Sequence, residues 1–303
     1  MKRLSFADYM LTLFFIFMLV LSVGSFFFGV QTGKERTEMK YEQLLKPRAA
    51  PQELGSYHQQ YLVSFYHTIY LPYRDFQKKW FAHLEDIELQ SKSVEPVSLL
   101  KELRKLADEK YETIATVSMP ATSPLLKDAQ NNYLKSLKLF LNTLNGLQGV
   151  EELKGKEIVD LIDNGPSFQE AKNFALQAQY NYYSAMNKWQ ASLESKQAKL
   201  EDLTGKNVSI SKWSQLNLAT KNEITAELLY AGKHYADYYP QDLTIRIDGL
   251  ILSGQAAKMK LTDTKRIVEM LINTGAVRPG DFLKSKNKYY ANSSLPLLPF
   301  FYE

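Results

Sequence analysis

The chain has 303 residues, a net charge of +4, 23% charged and 45% apolar side chains, and no cysteine. The missing thiol excludes disulfides, cysteine nucleophiles, iron–sulfur clusters and cysteine–zinc sites. The charge is too small to argue for nucleic-acid binding by itself, and the apolar content is that of a globular chain rather than a disordered one.

The first element is residues 9–33, twenty-five positions without a charged side chain. As a helix this run is roughly 37 Å long, enough to cross a hydrocarbon core of about 30 Å. It is about twice the length of a signal-peptide apolar region and ends in Phe26-Phe-Phe-Gly-Val30 with no small-residue cleavage pattern, so it reads as an uncleaved anchor. Ser25, Gly29 and Gly33 recur at intervals of four and share one helix face, a small-residue pattern through which membrane helices dimerise. Lys2 and Arg3 precede the run, while Lys34, Arg36, Lys40, Lys46 and Arg48 follow it. A bare count of basic residues favours a cytoplasmic domain. Long domains translocate largely regardless of flanking charge, however, and a short basic N-tail is the usual signal-anchor arrangement, so an extracytoplasmic placement is expected.

Residues 34–55 form a juxtamembrane linker, broken by Pro47 and Pro51. Next comes an aromatic stripe of Tyr57, Tyr61, Phe65, Ile69, Tyr73, Phe76 and Trp80 at helical spacing, with Pro72 placed to kink or split the helix near Leu71. The stripe reads as core rather than as a ligand groove. A second helix is expected from Pro96 to before Pro120. A third should open at Ser123-Pro124 and end at Gly146, and a short one should span about 151–162. Ser167 to Glu170 matches a capping box and opens a long helix expected to reach Leu203. Its alanines Ala171, Ala175, Ala178 and Ala185 suit a close antiparallel neighbour. A second capping box, Thr220 to Glu223, opens a helix carrying Ile224, Leu228, Ala231 and Tyr235 up to Pro240. Residues 243–252 fit either a hairpin turning at Asp248-Gly249 or a helix capped by Asp242, and helical neighbours favour the helix. A further helix is expected at about 263–273, followed by a proline-broken apolar tail that either packs back or docks a partner.

The expected fold is therefore all-α: one N-terminal transmembrane helix (1–33, with its short N-tail), the linker (34–55), a helical bundle (56–205) and a smaller, mainly helical C-terminal subdomain (206–303). No catalytic, cofactor or metal constellation stands out. The four histidines, His58, His67, His83 and His234, lack metal-ligand spacing, and Ser98-Leu-Leu-Lys101 stands without the partner motifs of penicillin-binding enzymes. Paired acids such as Glu151/Glu152 and Asp160/Asp163 read as solvated. A basic stretch holds Lys258, Lys260, Lys265, Arg266, Arg278, Lys284, Lys286 and Lys288 against three acids, a surface suited to anionic lipid, wall polymer or an acidic partner.

The functional expectation is a single-pass, membrane-anchored, non-enzymatic interaction protein that displays a helical domain outside the membrane. Its partners would be the membrane, other envelope proteins and, through the small-residue face, a second copy; nucleic acid is not expected. A ligand-sensing or glycan-binding ectodomain is the alternative. A cytoplasmic domain with a basic surface for lipid or nucleic acid is a further one.

Overall fold

The computed structural model describes Met18 and residues 56–89, 95–147, 149, 152–193, 203, 205–291 and 297–302. The apolar run 9–33, apart from Met18, lies outside these residues, as do its Ser25, Gly29 and Gly33 face and the linker. Among the described residues the chain is all-helical, and no helix is long and apolar enough to cross a membrane. Residues 54–303 belong to a single compact unit.

The helices in chain order are α1 (Gln59–Phe65), α2 (Leu71–Glu88), α3 (Pro96–Ala115), α4 (Pro124–Asn145), α5 (Gly155–Asp163) and α6 (Pro166–Leu193). After these come α7 (Ile210–Trp213), α8 (Leu218–Ala231), α9 (Pro240–Leu252), α10 (Gln255–Lys258), α11 (Thr264–Asn273), α12 (Asp281–Tyr289) and a 3₁₀ turn at Pro299–Phe301. Proline occupies the first turn of α3, α4 and α9, where a missing N–H leaves no internal bond unmade.

Between α1 and α2 the chain does not break at Pro72. A π-helical turn, Tyr66–Tyr70, precedes it, with the Leu71 N–H reaching back to the Tyr66 carbonyl. Pro72 cannot donate within the helix and would crowd the preceding turn. The wider turn makes room, so the two helices run on as one rod.

The aromatic stripe faces inward, as its periodicity predicts. Phe65, Ile69, Tyr73, Phe76 and Trp80 are buried. Helix α6 is the centre of the bundle: every residue from 181 to 187 is buried, and α4 and α8 pack against it. The Ser136 hydroxyl of α4 donates to the Ala171 carbonyl of α6 at 2.8 Å, and Phe140 meets Phe168 with ring centres 5.7 Å apart. As α4 advances the partner position in α6 recedes, so the pair is antiparallel. Ala171, Ala175 and Ala178 supply the small surface that this approach needs. The opposite trend holds for α2 on α4, where Tyr73 meets Tyr133 and Phe76 meets Phe140. Those two helices run parallel.

Several expected boundaries shift for local reasons. Helix α6 starts at Pro166, which places Ser167 inside the first turn and not at the cap. The described part of that helix ends at Leu193. Helix α8 is capped by Asn217, whose side chain accepts from the Thr220 N–H at 2.9 Å; Thr220 is thus capped and does not cap. It ends at Ala231, and residues 232–239 form a loop instead of about two more turns. Helix α5 begins at Gly155, where Glu157 reaches back to the Lys154 N–H at 2.8 Å.

Residues 243–252 are helical. Tyr239 is the cap and Asp242 lies in the first turn, accepting the Tyr239 N–H at 2.9 Å. Gly249 does not turn the chain. A Cβ there would lie 3.2 Å from the Tyr289 hydroxyl oxygen, so the glycine admits α12 against α9. The second carboxylate oxygen of buried Asp242 accepts the Phe282 N–H at 2.9 Å and fastens the same two helices. A smaller apolar cluster built on Trp213, Ile224, Leu243, Ile247 and Ile267 fills the space among α7, α8, α9 and α11. The final apolar segment packs back onto the fold: Leu298, Phe300 and Phe301 are buried in the larger cluster.

Candidate functional site

Two buried cations stand out among the polar groups of the core. The first is Arg74 on α2, 1% exposed. Its position follows from spacing, because Tyr70, Arg74 and Gln77 fall on one helix face. One guanidinium nitrogen donates to the Gln77 side chain at 2.6 Å and another to the Asp237 carbonyl at 2.8 Å. The guanidinium lies 4.3 Å from the centre of the Tyr239 ring, and the Asp237 carboxylate sits 3.7 Å away without a hydrogen bond. Gln77 completes the clasp by donating to the Ala236 carbonyl at 2.9 Å. The loop 232–239 is thus held to α2 largely through its backbone. Burial raises the Asp237 carboxyl above the usual carboxylate value, and Arg74 opposes that rise.

The second charge is Lys221 on α8, paired with Asp248 on α9. The ammonium lies 2.9 Å from one carboxylate oxygen, and the two side chains are 9% and 7% exposed. The Trp213 indole N–H donates to the same oxygen at 2.8 Å, while the Tyr290 hydroxyl donates to the other. Lys221 also faces the Trp213 and Tyr290 rings at 5.5 and 5.6 Å. Each oxygen of Asp248 therefore has a donor, the condition under which a buried carboxylate is tolerated. Burial and the neighbouring Asp248 both keep the Tyr290 phenol protonated far above its ordinary range.

Beside the Arg74 centre, Tyr73, Tyr133, Gln179 and Tyr235 enclose a void of about 10 Å³, room for about one water molecule. Tyr73 is bound there to Ser136 at 2.9 Å and to Tyr235 at 3.2 Å. A larger open groove of about 710 Å³ lies between α2 and α3 and is lined by three acids and three lysines along with Ala82 and Leu106. It is a solvated, charge-balanced surface.

The sequence-derived candidates fall as follows. Among the described residues no three His, Asp or Glu side chains gather as a metal site. His58 caps α1, accepting the Gln60 N–H at 3.3 Å, and His67 is exposed. His83 is interhelical, 3.3 Å from Glu102 of α3, and His234 lies in the loop after α8. Ser98 and Lys101 are exposed in the first two turns of α3. Of the basic stretch, Lys258, Lys260, Lys265, Arg266, Arg278, Lys284 and Lys288 are exposed, on and between α10, α11 and α12, which all pack on α9. Lys286 differs from the rest. Its ammonium donates to the Phe301 carbonyl at 2.9 Å and lies 5.2 Å from the Tyr302 ring centre.

No protein-family model matches the chain, nor does any curated protein or solved structure.

The sequence reading passed over Arg74, Lys221 and Asp248. The available signal was a charge on an otherwise apolar stripe: Lys221 lies three residues after Leu218 and four before Thr225, both buried. Their partners are distant in sequence, and spacing within one helix does not reveal them.

Proposed function

We propose that this chain is a single-pass, membrane-anchored, non-catalytic interaction protein whose helical domain works on the extracytoplasmic side of a cell envelope. The observation that carries the reading is the charge-free run 9–33 followed by a domain rich in surface lysine. Such a chain acts by placement. The run fixes the domain at the bilayer, and its outer faces meet other envelope components.

The domain's interior is consistent with this reading. Its buried charges are engaged in holding α2 to the 232–239 loop and α8 to α9. The aromatic stripe fills the core around a void of about 10 Å³, which leaves a small-molecule sensor no pocket at that place. The exposed basic residues of 258–288, with Lys286 set aside, form the surface we assign to anionic headgroups or wall polymer. Self-association through Ser25, Gly29 and Gly33 belongs to the same proposal.

Protease added to intact cells tests the placement. The domain should be cut without lysis. A domain cut only after lysis would place it inside and return the cytoplasmic reading.

A further inference from the structure

Phe300 enters a socket made of five tyrosines. Its ring centre lies 5.4 Å from Tyr66, 6.0 Å from Tyr70, 6.4 Å from Tyr182, 6.3 Å from Tyr183 and 5.9 Å from Tyr239, with the Tyr239 ring only 15° from parallel. We infer that this socket is a recognition site for a Leu-Pro-aromatic peptide, occupied here by the chain's own residues 297–302 as a displaceable ligand in cis.

The walls are held by bonds that do not involve the inserted segment. The Tyr182 hydroxyl donates to the Leu62 carbonyl at 3.0 Å, the Tyr183 hydroxyl to Gln241 at 2.5 Å, and the Arg74 guanidinium lies 4.3 Å from the Tyr239 ring centre. The socket therefore has its own scaffold in α1, α2, α6 and the start of α9.

The segment, for its part, has the form of a bound peptide. Its turn is closed on itself, with Phe301 N–H to Leu298 and Tyr302 N–H to Pro299 at 3.0 and 2.8 Å. Lys286 of α12 grips it at the Phe301 carbonyl. Leu298, Pro299, Phe300 and Phe301 are inserted as one short turn, while Leu297 and Tyr302 on either side stand 51% and 49% exposed. Pro296 and Pro299 restrict the free segment and reduce the ordering that docking requires. An aromatic anchor in a rigid aromatic pocket, flanked by a single cation on a carbonyl, is the arrangement of a peptide-recognition hot spot. The socket so defined takes apolar peptides with an aromatic residue directly after proline. It needs only the 56–302 fold and is independent of where the membrane lies.

The test uses the full 303-residue chain in detergent and a fluorescein-labelled synthetic peptide of residues 295–303. The peptide should bind the Phe300→Ala chain, whose socket is vacated in cis, at least about 30-fold more tightly than the wild-type chain, in line with loss of a hot-spot contact. A labelled peptide that itself carries Phe300→Ala should bind neither. In a second arm a site-specific protease sequence replaces 292–296 and is cut after folding. The released segment should leave on dilution while the remaining chain keeps its far-UV dichroism and a cooperative melt, and added peptide should return to it. Equal peptide binding to the Phe300→Ala and wild-type chains would overturn the inference. So would collapse of the cut chain as its segment departs, which would make 297–302 an ordinary part of the core.

Discussion

The Lys221 ammonium lies 2.9 Å from the Asp248 carboxylate, 27 positions away in sequence, with both side chains under 10% exposed. Trp213 and Tyr290 supply the other donors to Asp248, so four elements meet at one carboxylate. Removing Lys221 leaves that charge buried. Lys221→Met should therefore lower unfolding stability by about 3–5 kcal/mol. The double variant Lys221→Met with Asp248→Leu should recover only part of the loss, because the unpaired charge is gone but the Trp213 N–H and the Tyr290 hydroxyl lose their acceptor. Urea midpoints of the two single variants and the double variant measure the coupling directly. Additive losses would deny that the pair acts as a unit.

Arg74 makes a different demand. Its planar fork serves Gln77 and the Asp237 carbonyl at once while its face lies on Tyr239. A lysine keeps the charge but cannot form the fork or the stack. Arg74→Lys should cost roughly 2 kcal/mol and Arg74→Ala roughly 3–5 kcal/mol. Amide exchange in 232–239 should rise in both variants. Protection of that loop unchanged in Arg74→Ala would show that Arg74 does not hold it.

Five tyrosines, Tyr70, Tyr73, Tyr133, Tyr182 and Tyr183, are at most 1% exposed. Burial raises the phenol of each above the ordinary value of 10.0, to about 12 for Tyr73. The unfolded chain gives up these protons near pH 10 and the folded chain does not, so stability falls as pH rises. The contribution is intact below pH 10 and, for Tyr73, is lost between pH 10 and about 12. Each phenol adds about 1.4 kcal/mol per pH unit in this window, so five together are large against a typical stability of about 5–15 kcal/mol. Tyrosinate absorbance and far-UV dichroism should change together in one steep alkaline transition. Buried phenols ionising near pH 10 in a folded chain would contradict the structure.

Small size is required where α6 meets α4. Ala171 and Ala178 have no exposed surface, and Ser136 reaches the Ala171 carbonyl. Ala178→Leu should destabilise by about 1–3 kcal/mol through overpacking, whereas Ala178→Gly should cost about 1 kcal/mol through helix propensity. Thermal melts of the pair separate the two mechanisms. A neutral Ala178→Leu would mean that the helices are not close there.

The exposed basic residues form a surface that should respond to salt. Reversing Lys265, Lys284 and Lys288 to glutamate should weaken binding to anionic vesicles and flatten its salt dependence. Lys286 is left out of that set because it holds Phe301. Vesicle co-sedimentation that is the same for variant and wild type would remove the lipid assignment.

What the sequence discloses here is periodic. Phe65, Ile69, Tyr73, Phe76 and Trp80 repeat at helical spacing, and Ala171, Ala175 and Ala178 do likewise; each set is buried where its spacing predicts. Caps were less legible, since Asn217 and Pro166 compete with equally good signals one to three residues away. The Asp248-Gly249 dipeptide carries a turn signal that tertiary partners override. Asp248 is held by Lys221, and Gly249 makes room for Tyr289. The socket was out of reach altogether, because it unites positions near 66, 182, 239 and 300 that no local pattern links.

The bond from Tyr182 to the Leu62 carbonyl spans 120 residues, and it sets a timetable. The α4–α6 pair closes over a short connection through Ser136 and Ala171, 35 residues apart, and can form early. Helix α1, made first in chain order, must hold Leu62 and Phe65 without their final neighbours until α6 has been built and placed. A contact at that separation forms after the local ones, because its loop-closure entropy is larger. Leu62 and Phe65 are thus among the last core positions to be covered.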